Sequence, residues 1–97
     1  MRNTIDHPTR GKLACRIWDN GGETADRYTV IFKARRHRGR LYWPYLASGD
    51  APFHPQGFGQ HGEFTSREQA KGGKHLGKRV PFEAVPQDVQ RFILQSI

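Results

Sequence analysis

The segment RYTVIFKA, residues 27–34, constrains the fold most, because it is dense in β-branched and aromatic residues. Its side chains alternate in character along the segment. One face carries Tyr28, Val30, Phe32 and Ala34, and the other carries Thr29, Ile31 and Lys33. This period of two predicts the strongest β-strand of the chain.

Two further segments predict strands on either side of it. In LACRIW, residues 13–18, Leu13, Cys15 and Ile17 point to one face and Ala14, Arg16 and Trp18 to the other. The following DNGG has the composition of a tight turn. LYWPYLA, residues 41–47, places Leu41, Trp43 and Tyr45 on one face, while Pro44 predicts an edge or bulged strand. The three segments predict an antiparallel meander, and KRVPF adds a short fourth strand.

The rest of the chain predicts one helix and much irregular structure. PQDVQRFILQSI has an apolar stripe of helical period, which predicts a C-terminal helix on the sheet. Residues 48–77 are rich in glycine and proline and predict a long loop, with one helical turn capped by Ser66. We therefore expect a single α+β domain over residues 1–97, with a three- to four-stranded antiparallel sheet. Residues 1–11 are polar and predict a loosely tied N-terminus.

The amino-acid composition limits the cellular compartment and the binding partners that we expect for this chain. The formal net charge is +7, which favours a polyanionic partner such as nucleic acid or a nucleotide. Cys15 is the only cysteine, so an internal disulfide is excluded, and no cofactor motif is present. The sequence shows neither a signal peptide nor a membrane span, and we expect a cytoplasmic protein without a membrane partner.

The densest basic segment is KARRHRGR, residues 33–40, with five formal positive charges. Between two predicted strands it occupies the tip and flank of a hairpin, where it either contacts phosphates or only confers solubility. Arginine grips two phosphate oxygens at once. The first candidate ligand-binding residues are Arg35, Arg36, Arg38 and Arg40.

FHPQGFGQHGE, residues 53–63, fits neither a helix nor an alternating strand. Its simplest interpretation is a compact loop in which Phe53 and Phe58 plug into the core. In a functional version, His54 and His61 line a recess for an anion or a base. These histidines with Glu63 are also weak metal-ligand candidates, although their spacing matches no established motif.

KGGKHLGKR, residues 71–79, resembles a phosphate-binding loop only in composition, because the GxxxxGK[ST] spacing is absent. Lys74 and Lys78 are candidates for a second phosphate contact. The alternative is that this segment is only a solvated loop. Tyr42, Trp43 and Tyr45 beside the arginines are typical both of core packing and of single-strand binding, in which bases stack on aromatic rings. No nucleophile motif or ordered acid–base pair predicts catalysis.

The order DNGG, DRYTVIF, PFHPQGFGQHGE and HLGKRVPFEAVPQDVQRFIL resembles that of short uncharacterised proteins of bacterial phages, plasmids and integrated elements. The resemblance implies a small accessory protein of a mobile element and transfers no catalytic residue. The function that we expect first for this chain is non-enzymatic binding of nucleic acid or a nucleotide through the basic hairpin. The alternatives are an anti-CRISPR-like inhibitor that binds a host defence protein, and a small metal-dependent nuclease.

Overall fold

The computed structural model describes residues 3–97. Most of its regular elements are strands. They are β1 (Asn3–His7), β2 (Gly11–Asp19), β3 (Tyr28–Phe32), β4 (Arg35–His37), β5 (Arg40–Ser48), β6 (Gly59–Phe64) and β7 (Lys78–Arg79). The helices are α1 (Arg67–Ala70) and α2 (Gln87–Ser96), with 3₁₀ turns at Lys74–Leu76 and Phe82–Ala84.

All seven strands form one antiparallel sheet in the order β1-β2-β3-β5-β4, with β6 paired to β5 and β7 paired to β2. The α+β class is plausible for this architecture, and the C-terminal helix is present. The predicted strand number of three to four is wrong, because the described residues contain seven strands and the domain is mostly β. The predicted β2-β3-β5 meander forms its centre.

The N-terminal region is more ordered than the sequence predicts. Residues 1–2 lie outside the described part, but β1 pairs along its whole length with β2, and Ile5 is buried. His7 Nδ1 accepts hydrogen bonds from the backbone of Thr9 and Arg10, and its Nε2 lies 2.9 Å from the Leu94 carbonyl oxygen. The prediction of a loose terminus is therefore wrong for residues 3–11, since one apolar side chain and a backbone ladder suffice to hold it.

Part of the predicted glycine-rich loop, residues 59–64, is also a strand. β6 pairs with β5 from Gly59 opposite Ser48 to Phe64 opposite Trp43. Its side chains do not alternate in hydropathy because much of the strand is exposed, so the pattern carries no signal. The helical turn after it forms as predicted, with Ser66 Oγ accepting from the backbone N–H of Gln69.

Pro44 lies in a strand that is paired on both sides, so β5 is not an edge strand. The β3–β5 pairing ends at Ile31 opposite Tyr45, and the β4–β5 pairing resumes at Arg35 opposite Tyr42. Three residues, 32–34, therefore face two, 43–44, which is the extra residue of a β-bulge. The bulge therefore lies opposite Pro44, in the β3–β4 segment and not in the proline's own strand, so the prediction of an edge or bulged β5 is wrong.

The sheet is covered on both faces. On one face, which we call the α2 face, Val89 and Ile93 of α2 pack against buried strand residues that include Ile17 and Val30, together with Val85 just before the helix. On the opposite face, the α1 face, a smaller cluster holds Trp18, Ile31, Trp43 and Ala70. The two faces therefore differ in how much apolar cover they receive.

Candidate functional site

The basic hairpin forms between β4 and β5. His37 pairs with Arg40, and the two residues between them, Arg38 and Gly39, have φ of 52° and 78°. Positive φ at both central positions is the geometry of a type I′ turn, whose twist matches that of the strands it joins. The structure thus confirms the predicted position of the arginines at the tip and flank of a hairpin.

The four arginines do not form one cluster. Arg36 pairs with Leu41 and Arg35 pairs with Tyr42, and residues that are neighbours along a strand point to opposite faces. Arg36 therefore lies on the α1 face with Leu41 and Trp43, while Arg35 lies on the α2 face. Arg36 Nη1 also donates to the Gly39 carbonyl oxygen at 3.2 Å, which steadies the turn.

A groove of about 940 Å³ lies beside this hairpin. It is lined by residues 36–37, 39–43, 63 and 65–67. The hairpin forms one side, and the segment that joins β6 to α1 forms the other. Aromatic and aliphatic side chains of β5 lie between them, so the groove has an apolar centre with basic residues on both sides.

Arg67 belongs to this groove because the Ser66 cap starts α1 there. Its guanidinium carbon lies 5.7 Å from the centre of the Trp43 ring, within cation–π range. Trp43 is only 9% exposed, whereas Arg67 is exposed. The arginine therefore covers the tryptophan and offers its own outer surface to a ligand.

Two smaller depressions adjoin the groove. One is lined by residues 14–16, 31–34, 43 and 67, and the other by residues 16, 43, 67–68 and 70–71. Trp43 and Arg67 line all three depressions, so the surface is continuous. We call its cationic residues the basic track: Arg16, Lys33, Arg36, Arg40, Arg67 and Lys71. Glu63 and Glu68 are the acidic residues that line it.

Arg16 is held firmly within the basic track. Its guanidinium donates to the carbonyl oxygens of Ala70 at 2.5 Å and Lys71 at 2.8 Å, at the end of α1. It also lies 5.1 Å from the centre of the Trp18 ring. A cation at a helix C-terminus is favourable because carbonyl groups without helical partners point there.

Lys74 and Lys78 lie elsewhere, at the end of β2, whereas the arginine hairpin lies beyond the opposite end of β3. They line a separate cleft that also contains Asp19 and Glu23. The hydrogen bond from Arg27, at 2.8 Å, is the main cause that keeps the pKa of Asp19 below its ordinary value. The structure does not join these lysines to the basic track.

The two candidate histidines are also apart from it. His54 lies in the exposed turn before β6, where its Nδ1 accepts from the Gln56 backbone N–H at 3.1 Å. His61 is opposite Leu46 on the α2 face, and Glu63, at the same sheet edge, lines both the groove and a depression beside His61. Within residues 3–97, no group of three or more histidine, cysteine, aspartate or glutamate side chains is placed to hold a metal ion.

The two phenylalanines of this segment behave differently. Phe58 is half-buried, but Phe53 is 42% exposed, so the prediction that both plug into the core is wrong for Phe53. Its ring contacts Phe92 edge-on at 6.2 Å between centroids, and Arg91 lies 4.5 Å from its centre. The turn therefore displays Phe53 on the surface of the α2 face.

Cys15 lies in the core of the α2 face. Burial raises the pKa of its thiol to about 12, against an opposing effect of Arg79. The thiol is therefore neutral near pH 7, and a neutral buried thiol is a poor nucleophile.

The sequence did not single out Arg16 and Arg67 as site residues, and it offered Lys33 and Lys71 only as members of two separate basic segments. The four residues come from β2, from the β-bulge and from both ends of α1, and only the tertiary fold brings them together. Arg16 had a weak local signal, because it interrupts the apolar residues of a predicted strand.

No helix within residues 3–97 has the length and apolar character needed to cross a bilayer. Comparison with protein-family models, curated proteins and solved structures finds no significant match in any of the three.

Proposed function

We propose that this protein binds single-stranded nucleic acid along the basic track without chemically changing it. The observation that carries the proposal is the continuity of three depressions around Trp43 and Arg67, with six cationic residues against two acidic ones. A protein that neutralises phosphates releases their counterions, and this supplies much of the affinity for nucleic acid. The net charge of +7 acts in the same direction.

The shape of the surface favours a polymer over a single nucleotide. Small ligands prefer one enclosed pocket that buries most of their surface. Here the cations are spread over adjoining shallow depressions, and they come from the hairpin, β2, the bulge and α1. Such a path can follow several successive phosphates.

Aromatic and guanidinium surfaces favour a single strand. Tyr42 and Trp43 line the groove, and Arg67 covers Trp43 with its exposed guanidinium. Unpaired bases stack on aromatic rings and on arginine planes, whereas the bases of a duplex are already stacked on one another. The Arg67 guanidinium is thus a platform on which a base can stack.

A charge-matched pair of variants tests the proposal. Arg36→Ala with Arg67→Ala removes two charges from the basic track, and Lys74→Ala with Lys78→Ala removes two charges from the separate cleft. We expect the first variant to weaken binding of a fluorescent single-stranded oligonucleotide about tenfold or more. Its salt dependence falls by about 1.4 in the log–log slope, at about 0.7 per lost phosphate contact on a single strand.

Fluorescence anisotropy over a salt series measures both quantities. The cleft variant is expected to retain nearly the affinity and slope of the unchanged protein, since its lysines lie outside the track. Equal losses in the two variants would show that only total charge matters. A duplex made from the same oligonucleotide is expected to bind more weakly, and tighter duplex binding would contradict the single-strand assignment.

Inhibition of a host defence protein is the second candidate, and the exposed Phe53 favours it. A surface aromatic beside an arginine is typical of energetic hot spots in protein interfaces. It lies on the α2 face, away from the basic track. If this function holds, Phe53→Ala relieves inhibition of a purified defence nuclease complex and leaves oligonucleotide binding unchanged. Inhibition by the unchanged protein that survives Phe53→Ala would contradict a role for this residue.

A further inference from the structure

The outer edge of β6 has no partner among the described residues. β6 pairs only with β5, and the Gly49 N–H bonds to the Phe58 carbonyl oxygen at 2.9 Å, one position before β6 begins. Because hydrogen-bonded and non-hydrogen-bonded pairs alternate in an antiparallel ladder, residues 60, 62 and 64 direct their backbone groups to β5. Gly59, His61 and Glu63 therefore direct theirs away from the sheet.

Pro44 agrees with this assignment. It stands opposite Glu63, at a position whose backbone nitrogen does not face β6, so the missing N–H costs no bond to that strand. On its inner side, β6 is consequently paired with β5 along its whole length. On its outer side, its backbone N–H and C=O groups have no partner within residues 3–97.

This edge lacks most of the features that usually prevent strand addition. Proteins protect their edges with charged side chains, above all lysine, and with proline, bulges or very short strands. β6 has six residues, GQHGEF, with neither proline nor lysine, and its register with β5 is unbroken. Four of its six residues are exposed. It is therefore open to another strand.

We propose that a second copy of this chain pairs with this edge, β6 against β6 in antiparallel orientation. The outward residues must face one another in such a pair. In the register centred on Gly62, His61 stands opposite Glu63 of the second copy, and Glu63 stands opposite its His61. Two symmetric imidazole–carboxylate pairs result, as a two-fold interface requires.

The other face of the edge also fits this register. Gly62 meets Gly62 of the second copy at the two-fold axis, where neither residue has a side chain. Beside it, Tyr45 and Phe64 stack with centroids 4.2 Å apart, and both rings are half-buried. Pairing covers the exposed parts of these stacks in both copies, which adds apolar burial to the backbone hydrogen bonds.

The arrangement has a geometric consequence. The two-fold axis of such a pair is perpendicular to the continuous sheet, so both α1 faces lie on the same side. Two basic tracks then form one extended surface. Dimerisation rests on the edge alone and holds whether or not the track binds nucleic acid.

Oligomeric state tests the inference in the absence of any nucleic acid. Light scattering and sedimentation from about 10 µM to about 1 mM are expected to show a concentration-dependent rise from the 11.1 kDa chain toward twice that mass. His61→Pro removes an outward N–H and places a ring against the incoming strand while sparing the inner ladder. We expect this variant to remain monomeric, with the circular dichroism of the unchanged protein.

Charge exchange tests the register without altering the backbone. His61→Glu sets like charges opposite each other and is expected to weaken the dimer about tenfold or more. His61→Glu combined with Glu63→His restores complementary pairs and is expected to recover the dimer. A monomer over the whole range would overturn the proposal. It would also be overturned by a dimer indifferent to His61→Glu, or by failure of the double variant to recover.

Discussion

The two faces of the sheet differ in how they are covered. On the α2 face, ten buried residues form one core under a ten-residue helix. On the α1 face, four buried residues lie under a helix of only one turn. The comparison shows that one sheet can combine a face buried under a long helix with an opposite face that has a smaller core and is partly covered by charged side chains.

Arginine side chains cover both tryptophans of the α1 face. Arg16 and Arg79 each lie 5.1 Å from the centre of the Trp18 ring, and Arg67 lies over Trp43. Two nitrogens of Arg79, Nε and Nη2, are buried without a hydrogen-bond partner among residues 3–97, and the guanidinium lies over the indole ring of Trp18. Long basic side chains shield the tryptophans through their aliphatic parts while their charge remains near solvent. The same residues thus stabilise the face and give it a positive potential.

Among the variants that distinguish the two faces, we expect the largest loss of stability from truncating a side chain in the core. Ile93→Ala removes a side chain that is 1% exposed in the α2 core and is expected to lower the free energy of unfolding by about 2–5 kcal/mol. Leu41→Ala is the control on the α1 face, where Leu41 is only half-buried, and we expect about 1 kcal/mol. Urea unfolding followed by tryptophan fluorescence measures both. Equal losses would refute the division into a structural face and a thinly covered one.

A smaller effect tests how tightly the α1 face is packed. A Cβ at Gly72 would lie 2.6 Å from the Trp18 ring, and Gly72 has φ of +68°. Gly72→Ala therefore combines backbone strain with a steric clash, and we expect it to cost about 2–3 kcal/mol. Gly21→Ala is the matched control, because Gly21 has φ of +78° with open space around it.

The control carries only the backbone strain and is expected to cost about 1 kcal/mol. The difference between the two variants in urea unfolding isolates the packing around Trp18. Indistinguishable costs would mean that the KGGK segment moves freely and that the α1 face is not closely packed there.

The sequence predicted those parts of the fold that have a local signal. The β2-β3-β5 meander followed from alternation, the hairpin from its basic turn, and α2 from its apolar stripe. β1 and β6 were missed because an exposed edge strand is specified mainly by backbone pairing, which leaves little pattern in side-chain hydropathy. Phe53 was assigned to the core because hydrophobicity alone does not reveal which aromatic of a turn faces solvent.

The candidate site was predicted only in part, for a different physical reason. Arg36 and Arg40 were identified within a dense basic run, and they do line the groove. Arg67 lies outside the basic runs and Lys71 begins a different one, and both join the basic track only because α1 folds back over Trp43. Arg35 was separated from Arg36 by strand alternation, which places neighbours on opposite faces. Charge density in sequence therefore identified the element, and the tertiary fold decided which of its charges share a surface.

The smallest expected effect concerns the cap that begins α1. Ser66 Oγ accepts the Gln69 N–H at 3.2 Å, and Gln69 Oε1 accepts the Thr65 N–H at 3.1 Å. Ser66→Ala removes the first bond, and we expect a loss of about 0.5–1 kcal/mol in unfolding. Because α1 has only one turn, the loss of its cap affects the whole helix. We therefore expect the loss to appear locally, as greater mobility of the Arg67 side chain.

Oligonucleotide affinity can separate this local effect from global stability. If the cap fixes Arg67 over Trp43, Ser66→Ala weakens single-strand binding about two- to threefold, although it removes no charge. The corresponding loss of binding free energy is that of one surface contact. Its salt slope stays that of the unchanged protein, because the number of phosphate contacts is the same. Gln90→Ala, a polar change on the α2 face, removes a bond to the Val85 carbonyl oxygen and serves as the control. A comparable affinity loss in both variants would tie binding to overall stability and remove the distinction between the two faces.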